Sequence, residues 1–128
     1  MKVFLDTNVW LSAIVFPGLC AELLTVLDDS SHTLLTSELV KAEVLEVLQR
    51  KFPRHEEAQA LFVHVWQNHA FAIADVAEPA DDADARLVKA AALAGTDLFA
   101  TGDQRVLGWA AQGTMQIVSP RTLYEILR

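Results

Sequence analysis

The chain reads as one α/β domain over residues 1–128, a three-layer α/β/α sandwich around a mostly parallel sheet of about five strands. Three observations predict this. Short β-rich apolar runs alternate with longer runs of helical spacing, the pattern of βαβ units whose parallel sheet is covered on both faces. A length of 128 residues suits a single core. Hydrophobic residues make up 52% of the chain, yet charges or turn residues interrupt every run before the roughly 18 residues of a membrane span.

The elements follow in order. Val3–Leu5, Thr33–Leu35, Phe71–Ala74, Leu98–Thr101 and Met115–Val118 read as strands. Val9–Val15, Leu19–Leu27, Glu38–Lys51, Glu56–Asn68, Asp84–Ala94, Arg105–Ala111 and Thr122–Leu127 read as helices. Phe16-Pro17-Gly18 makes a turn between the first two helices, and Phe52-Pro53 stops the third. Gly95 fits the C′ position of a helix, and Ser119-Pro120 reads as an N-cap with proline at N1. The chain contains no repeat or linker. Its first residues already read as a strand, so no signal peptide is expected, and the lone Cys20 cannot form an internal disulfide. A cytoplasmic location with no membrane attachment is the expectation.

Seventeen acids against ten bases give a net charge of −7, which disfavours a dedicated duplex-DNA binder. Acidic solubility explains the excess as well as a carboxylate cluster holding a divalent cation does. The placement of individual acids says more. Ligands of open parallel sheets gather beyond the carboxyl ends of the strands, where Asp6 and, in "LFATGDQRVL", Asp103 stand. Each also precedes a helical stretch that it is suited to cap. Singly, capping explains either; together they are placed to face one another across the sheet.

Helical geometry places two further acids. At about 100° per residue, Val47, Val40, Val44 and Leu48 span an apolar arc of roughly 100°, and Glu43 lies about 40° past its edge. Glu46 and Glu38 fall farther toward solvent. From that rim Glu43 can reach water or a cleft. In "DDADARLVKAAALAGTD", Leu87, Val88 and Ala91 share the face of Asp84, while Asp81 and Asp82 precede the helix and one of them caps it.

These four acids carry a resemblance. "VFLDTNVWLSAIVFPGLCAELL", "SELVKAEVLEVLQRKF", "DDADARLVKAAALAGTDLFATGD" and "IVSPRTLYEIL" resemble, in that order, successive segments of the PIN-domain ribonucleases. The likeness is strongest to the toxins of bacterial toxin–antitoxin pairs (VapC-like proteins) and covers nearly the whole chain. It implies a PIN-like fold and a Mg²⁺- or Mn²⁺-dependent endoribonuclease that leaves 5′-phosphate and 3′-hydroxyl ends. Asp6 would be the central ligand, with Asp84 and Asp103 opposite and Glu43 alongside; Asp82 is the alternative to Asp84. Oxygen ligands suit such a hard cation, which lowers the pKa of a bound water for in-line attack. The resemblance also implies an antitoxin protein that blocks the site.

Other residues take lesser roles. Asn8 and Thr101 are placed to orient waters or carboxylates, or to make local capping bonds. Arg86, Lys89 and Arg105 are candidates for RNA contacts, whereas Arg50, Lys51 and Arg54 suit a helix C-terminus. The four histidines lack ligand spacing. Trp10 and Trp109 read as core rather than as base-stacking platforms, and Trp66 lies on a packing or homodimer face. Two other function classes remain open: an inactive PIN-like binding module, and a receiver-type phosphoacceptor domain, in which Thr101-Gly102-Asp103 would stand where a lysine is wanted. A dehydrogenase would need a G-x-G-x-x-G after the first strand, and there is none.

Overall fold

The computed structural model describes residues 1–28 and 31–128. Six strands form one sheet: β1 (Lys2–Leu5), β2 (Thr33–Ser37), β3 (Phe71–Ile73), β4 (Leu98–Ala100), β5 (Ala111–Gln112) and β6 (Met115–Val118). Their order is β3-β2-β1-β4-β6-β5, parallel throughout except for β5. Helices α1 (Thr7–Val15), α2 (Leu19–Asp28), α3 (Glu38–Lys51), α4 (Glu56–His69), α5 (Ala83–Leu93), α6 (Gln104–Leu107) and α7 (Pro120–Leu127) flank the sheet as the outer layers of the sandwich. No single helix is long and apolar enough to cross a membrane.

The sheet has six strands where about five were expected, and the difference lies in one stretch. Residues 105–111 read as a helix, but α6 ends at Leu107. Gly108 follows, and Ala110 adopts a φ of 64°, so the chain leaves the helix and Ala111–Gln112 pairs antiparallel with β6. A positive φ at Gly113 closes that hairpin without a Cβ clash. Apolar spacing over so short a stretch does not separate a helical turn from a tight hairpin.

The core explains the rest. Phe4 and Phe99 are in register on β1 and β4 and stack with ring centroids 5.4 Å apart. Trp10 is fully buried, edge-on to Phe62 of α4 at 5.4 Å. Val40, Val44 and Leu48 are buried as the periodicity of α3 predicts. Ser37 caps α3, Ser119 caps α7 with Pro120 following, and Gly95 has a φ of 80° beyond α5.

The topology also locates a crevice. From β1 the sheet continues to β2 and β3 on one side and to β4 and β6 on the other. The carboxyl ends of β1 and β4 therefore flank the point where strand order reverses, the usual ligand position in doubly wound sheets. Asp6 and Thr101 are the residues that leave those two ends.

Candidate metal centre

Asp6 is the buried centre of this edge, 8% exposed. Its Oδ1 accepts the Val9 N–H at 3.0 Å, which makes it the N-cap of α1. Its Oδ2 accepts the hydroxyl of the fully buried Thr101. Thr101 Oγ1 in turn accepts the Asp103 N–H at 3.0 Å, so the ends of β1 and β4 are joined through one hydroxyl. Asp103 Oδ1 accepts the N–H groups of Arg105 and Val106 at 2.8 and 3.2 Å. Both strand-end aspartates thus cap helices, but capping uses only part of a carboxylate's four lone-pair directions. Capping and ligation are compatible.

Beyond β1 opens a cleft of about 500 Å³. Asp6, Thr7 and Asn8 form its floor, Glu43, Glu46 and Arg50 of α3 one wall, and Asp84 and Leu87 of α5 the other. The Thr7 hydroxyl donates to Glu43 Oε1 at 3.0 Å, which ties α3 to the first turn of α1. Asp103 does not line the cleft, yet its charge acts on both Asp6 and Asp84.

The electrostatics single out the same three acids. Burial pushes the Asp6 carboxyl above its ordinary value; the bonds from Thr101 and Val9 oppose this, and the charges of Asp84 and Asp103 add to it. Burial also raises Glu43, against the Thr7 hydrogen bond and with the Asp84 charge. Asp84 is raised by burial first and by Asp103 second. The neighbouring acids move the other way. Glu46 is held below its ordinary value by the hydrogen bond from Arg50, whose Nε lies 2.7 Å from Oε1. Asp82 is lowered by the Ala85 N–H it caps and by the Arg105 guanidinium bound to its Oδ2.

Each sequence-predicted residue now has a place. Asp6, Glu43 and Asp84 line one cleft, and Asp103 lies outside its lining but close enough for its charge to act on Asp6 and Asp84. Asp82 is committed to a cap and an ion pair. Asn8 is exposed on the cleft floor, whereas Thr101 bridges two strand ends beneath it. Arg86 Nε donates to the Val76 carbonyl at 3.1 Å and so straps the loop before α5 to that helix. Lys89 is exposed on a different side of α5 from the acids. Two cleft residues escaped the sequence reading. Arg50 was assigned to the end of α3, but seven residues past Glu43 it returns to the same face. Thr7 went unassigned, although its place between Asp6 and Asn8 was the available signal. Trp109 departs from expectation: it is 37% exposed rather than core, because α6 stops before it.

The donor set is entirely oxygen, which suits a hard divalent cation. Among the described residues, no three acids, histidines or cysteines converge tightly enough to ligate one ion unaided. Mg²⁺ ordinarily keeps several of its waters and needs only one or two direct carboxylates, so a set that is grouped but not closed fits it.

The family model described as "PIN domain" matches residues 2–105. No curated protein matches the chain.

Proposed function

The chain belongs to the PIN-domain family, whose members are generally metal-dependent nucleases, and on that premise we propose that it is an endoribonuclease acting as the toxin of a toxin–antitoxin pair. One observation carries the nuclease reading: Asp6, Glu43 and Asp84 line one cleft at the strand-order reversal with raised pKa values, while the nearby Glu46 and Asp82 are each paired with an arginine.

Asp6, Asp84, Asp103 and Glu43 would hold Mg²⁺ or Mn²⁺ together with waters. Such a cation would lower the pKa of a water for in-line attack and offset charge on the phosphoryl oxygens. The chain's own residues set the stage for this. Thr101 holds the Asp6 carboxylate against rotation through Oδ2, and the α1 cap holds it through Oδ1. Thr7 fixes Glu43. Asn8, on the cleft floor, has an amide able to orient a water or a phosphate oxygen. Arg50, the one cation among the cleft's lining residues, is placed for the RNA backbone.

The toxin role rests on the likeness of the DTN and TGD segments. Its partner would be an antitoxin that sets a basic side chain among the acids, in a cytoplasmic setting. The test is cleavage of a mixed RNA pool with Mg²⁺, with Mn²⁺ and with EDTA, by the parent and by Asp6→Asn. Cleavage that needs the metal and fails in the folded variant supports the reading; folded, metal-replete parent that leaves RNA intact identifies an inactive binding module. Growth arrest on expression in a bacterial host tests the toxin role separately.

A further inference from the structure

Trp109 stands beside a second hollow. A depression of about 280 Å³ lies between α5 and the β5–β6 hairpin, bounded by Pro79, Ala85, Val88, Lys89, Trp109 and Gln112. The Arg105 guanidinium sits over the Trp109 ring, 5.0 Å from its centroid, and is ion-paired with Asp82. Arg105 does not bound the hollow, so stacking on it leaves part of the indole for a ligand. The backbone holds the ring there. Ala110 is the only non-glycine residue at positive φ among those described, a conformation that an alanine rarely adopts. Its turn lets the Ala111 N–H donate to the Trp109 carbonyl at 2.7 Å and keeps the indole at the surface.

We propose that this hollow is a stacking subsite for one unpaired RNA base flanking the scissile phosphate, an inference that rests on the ribonuclease reading. The chemistry matches such a base. The indole offers a π face polarised by Arg105, and Ala85 and Val88 form an apolar floor. The Gln112 amide both donates and accepts, as a base edge requires, and the Lys89 ammonium suits the attached phosphate. Position matches too. On α5, Asp84 and Leu87 line the acidic cleft, while Ala85, Val88 and Lys89 line the hollow. At about 100° per residue the two sets lie roughly 120° apart around α5, so the sites occupy adjoining faces of one helix. Stacking also meets a need of this chain: with a net charge of −7 it gains little from phosphate attraction, and a base–indole contact does not depend on charge. Trp109 and Gln112 lie beyond residues 2–105, the stretch matched by the family model, whereas Ala85, Val88 and Lys89 lie within it.

The test uses Trp66→Phe, in which Trp109 is the exposed indole and Trp10 is buried. A single-stranded hexanucleotide added with EDTA should quench its emission saturably, and the same sequence as a duplex should not. In the cleavage assay Trp109→Leu should raise KM for that oligonucleotide about tenfold with kcat within about twofold, and Trp109→Phe should restore most of the loss. Quenching without cleavage would sink the ribonuclease reading and leave the subsite standing; cleavage without quenching would do the reverse. Equal quenching by a mononucleotide at matched base concentration would overturn the RNA assignment. If Trp109→Leu does not fold, an unchanged KM in Lys89→Gln combined with Gln112→Ala overturns the subsite.

Discussion

Glu43 and Glu46 stand one turn apart on α3, and Asp82 and Asp84 two residues apart at the start of α5, yet each pair divides in the same way. Glu46 and Asp82, on the rim, each hold an arginine and lie below their ordinary pKa. Glu43 and Asp84, on the inside, are in no ion pair among the described residues, and burial raises both. A chain built only for stability would place its cations inside, where each would relieve more repulsion. This one pairs Glu46 and Asp82 directly with arginines and leaves Glu43 and Asp84 with only the longer-range influence of Arg86 and Arg105. That difference separates structural acids from acids arranged to receive a cation.

The contrast is broken most severely by exchanging roles. Glu43→Gln and Asp84→Asn should each lower metal-dependent cleavage by more than the roughly 10–100-fold typical of losing an outer-shell partner. Glu46→Gln and Asp82→Asn should cleave like the parent. Active Glu43→Gln beside inactive Glu46→Gln would reverse the assignment of floor and rim.

A smaller effect is thermal. A cation that binds only the folded chain adds about 2.7 kcal/mol at a hundred times its Kd, roughly 5–15 °C in Tm for a domain of this size. Asp6→Asn keeps the α1 cap, since asparagine caps as well as aspartate, while it removes both repulsion and a ligand. In EDTA it should therefore melt at or above the parent, and with Mn²⁺ it should gain only a small part of the parent's shift. A variant that melts several degrees below the parent in EDTA, yet keeps the full metal shift, would make Asp6 a cap and nothing more.

Acidity gives a third measure, and its sign follows from the direction of the shifts. A carboxyl whose pKa is raised by folding binds its proton more tightly in the folded state, so it adds stability as pH falls toward its ordinary value near 4 and loses it as pH rises. The rim acids act oppositely, but Glu46 is exposed, Asp82 is only half-buried, and their pairs are screened by solvent. In EDTA the floor should prevail. The parent should gain stability from pH 7 to about 5 relative to Asp6→Asn, which cannot titrate there. Melting curves of the two across that range, read as a difference so that the histidines cancel, would show no divergence if burial, aided by the charges of Asp84 and Asp103, does not raise Asp6.

The smallest effect belongs to the rim itself. Asp82→Asn retains an N-cap for α5 and loses only an exposed ion pair, so its melting temperature should stay close to the parent's. A large loss would mean that Arg105, and with it the stacked Trp109, depends on this contact.

Much of this molecule is determined locally and can be read from the sequence alone. The order of strands and helices, the caps at Asp6, Asp103 and Ser119, and the buried stripe of α3 all follow from neighbours within one or two turns. Even Glu43 was separable from Glu46 by its angle to that stripe. Contacts between distant residues belong to the tertiary structure. Thr101 meets Asp6 across 95 residues, Thr7 meets Glu43 across 36, and Arg105 meets Asp82 across 23, and no periodicity encodes such partners. These contacts decide which acids are compensated and which are left to act on one another. The turn at Ala110 is of the same kind: an alanine carries no signal for positive φ, so only the hairpin pairing of β5 with β6 shows that Trp109 faces outward.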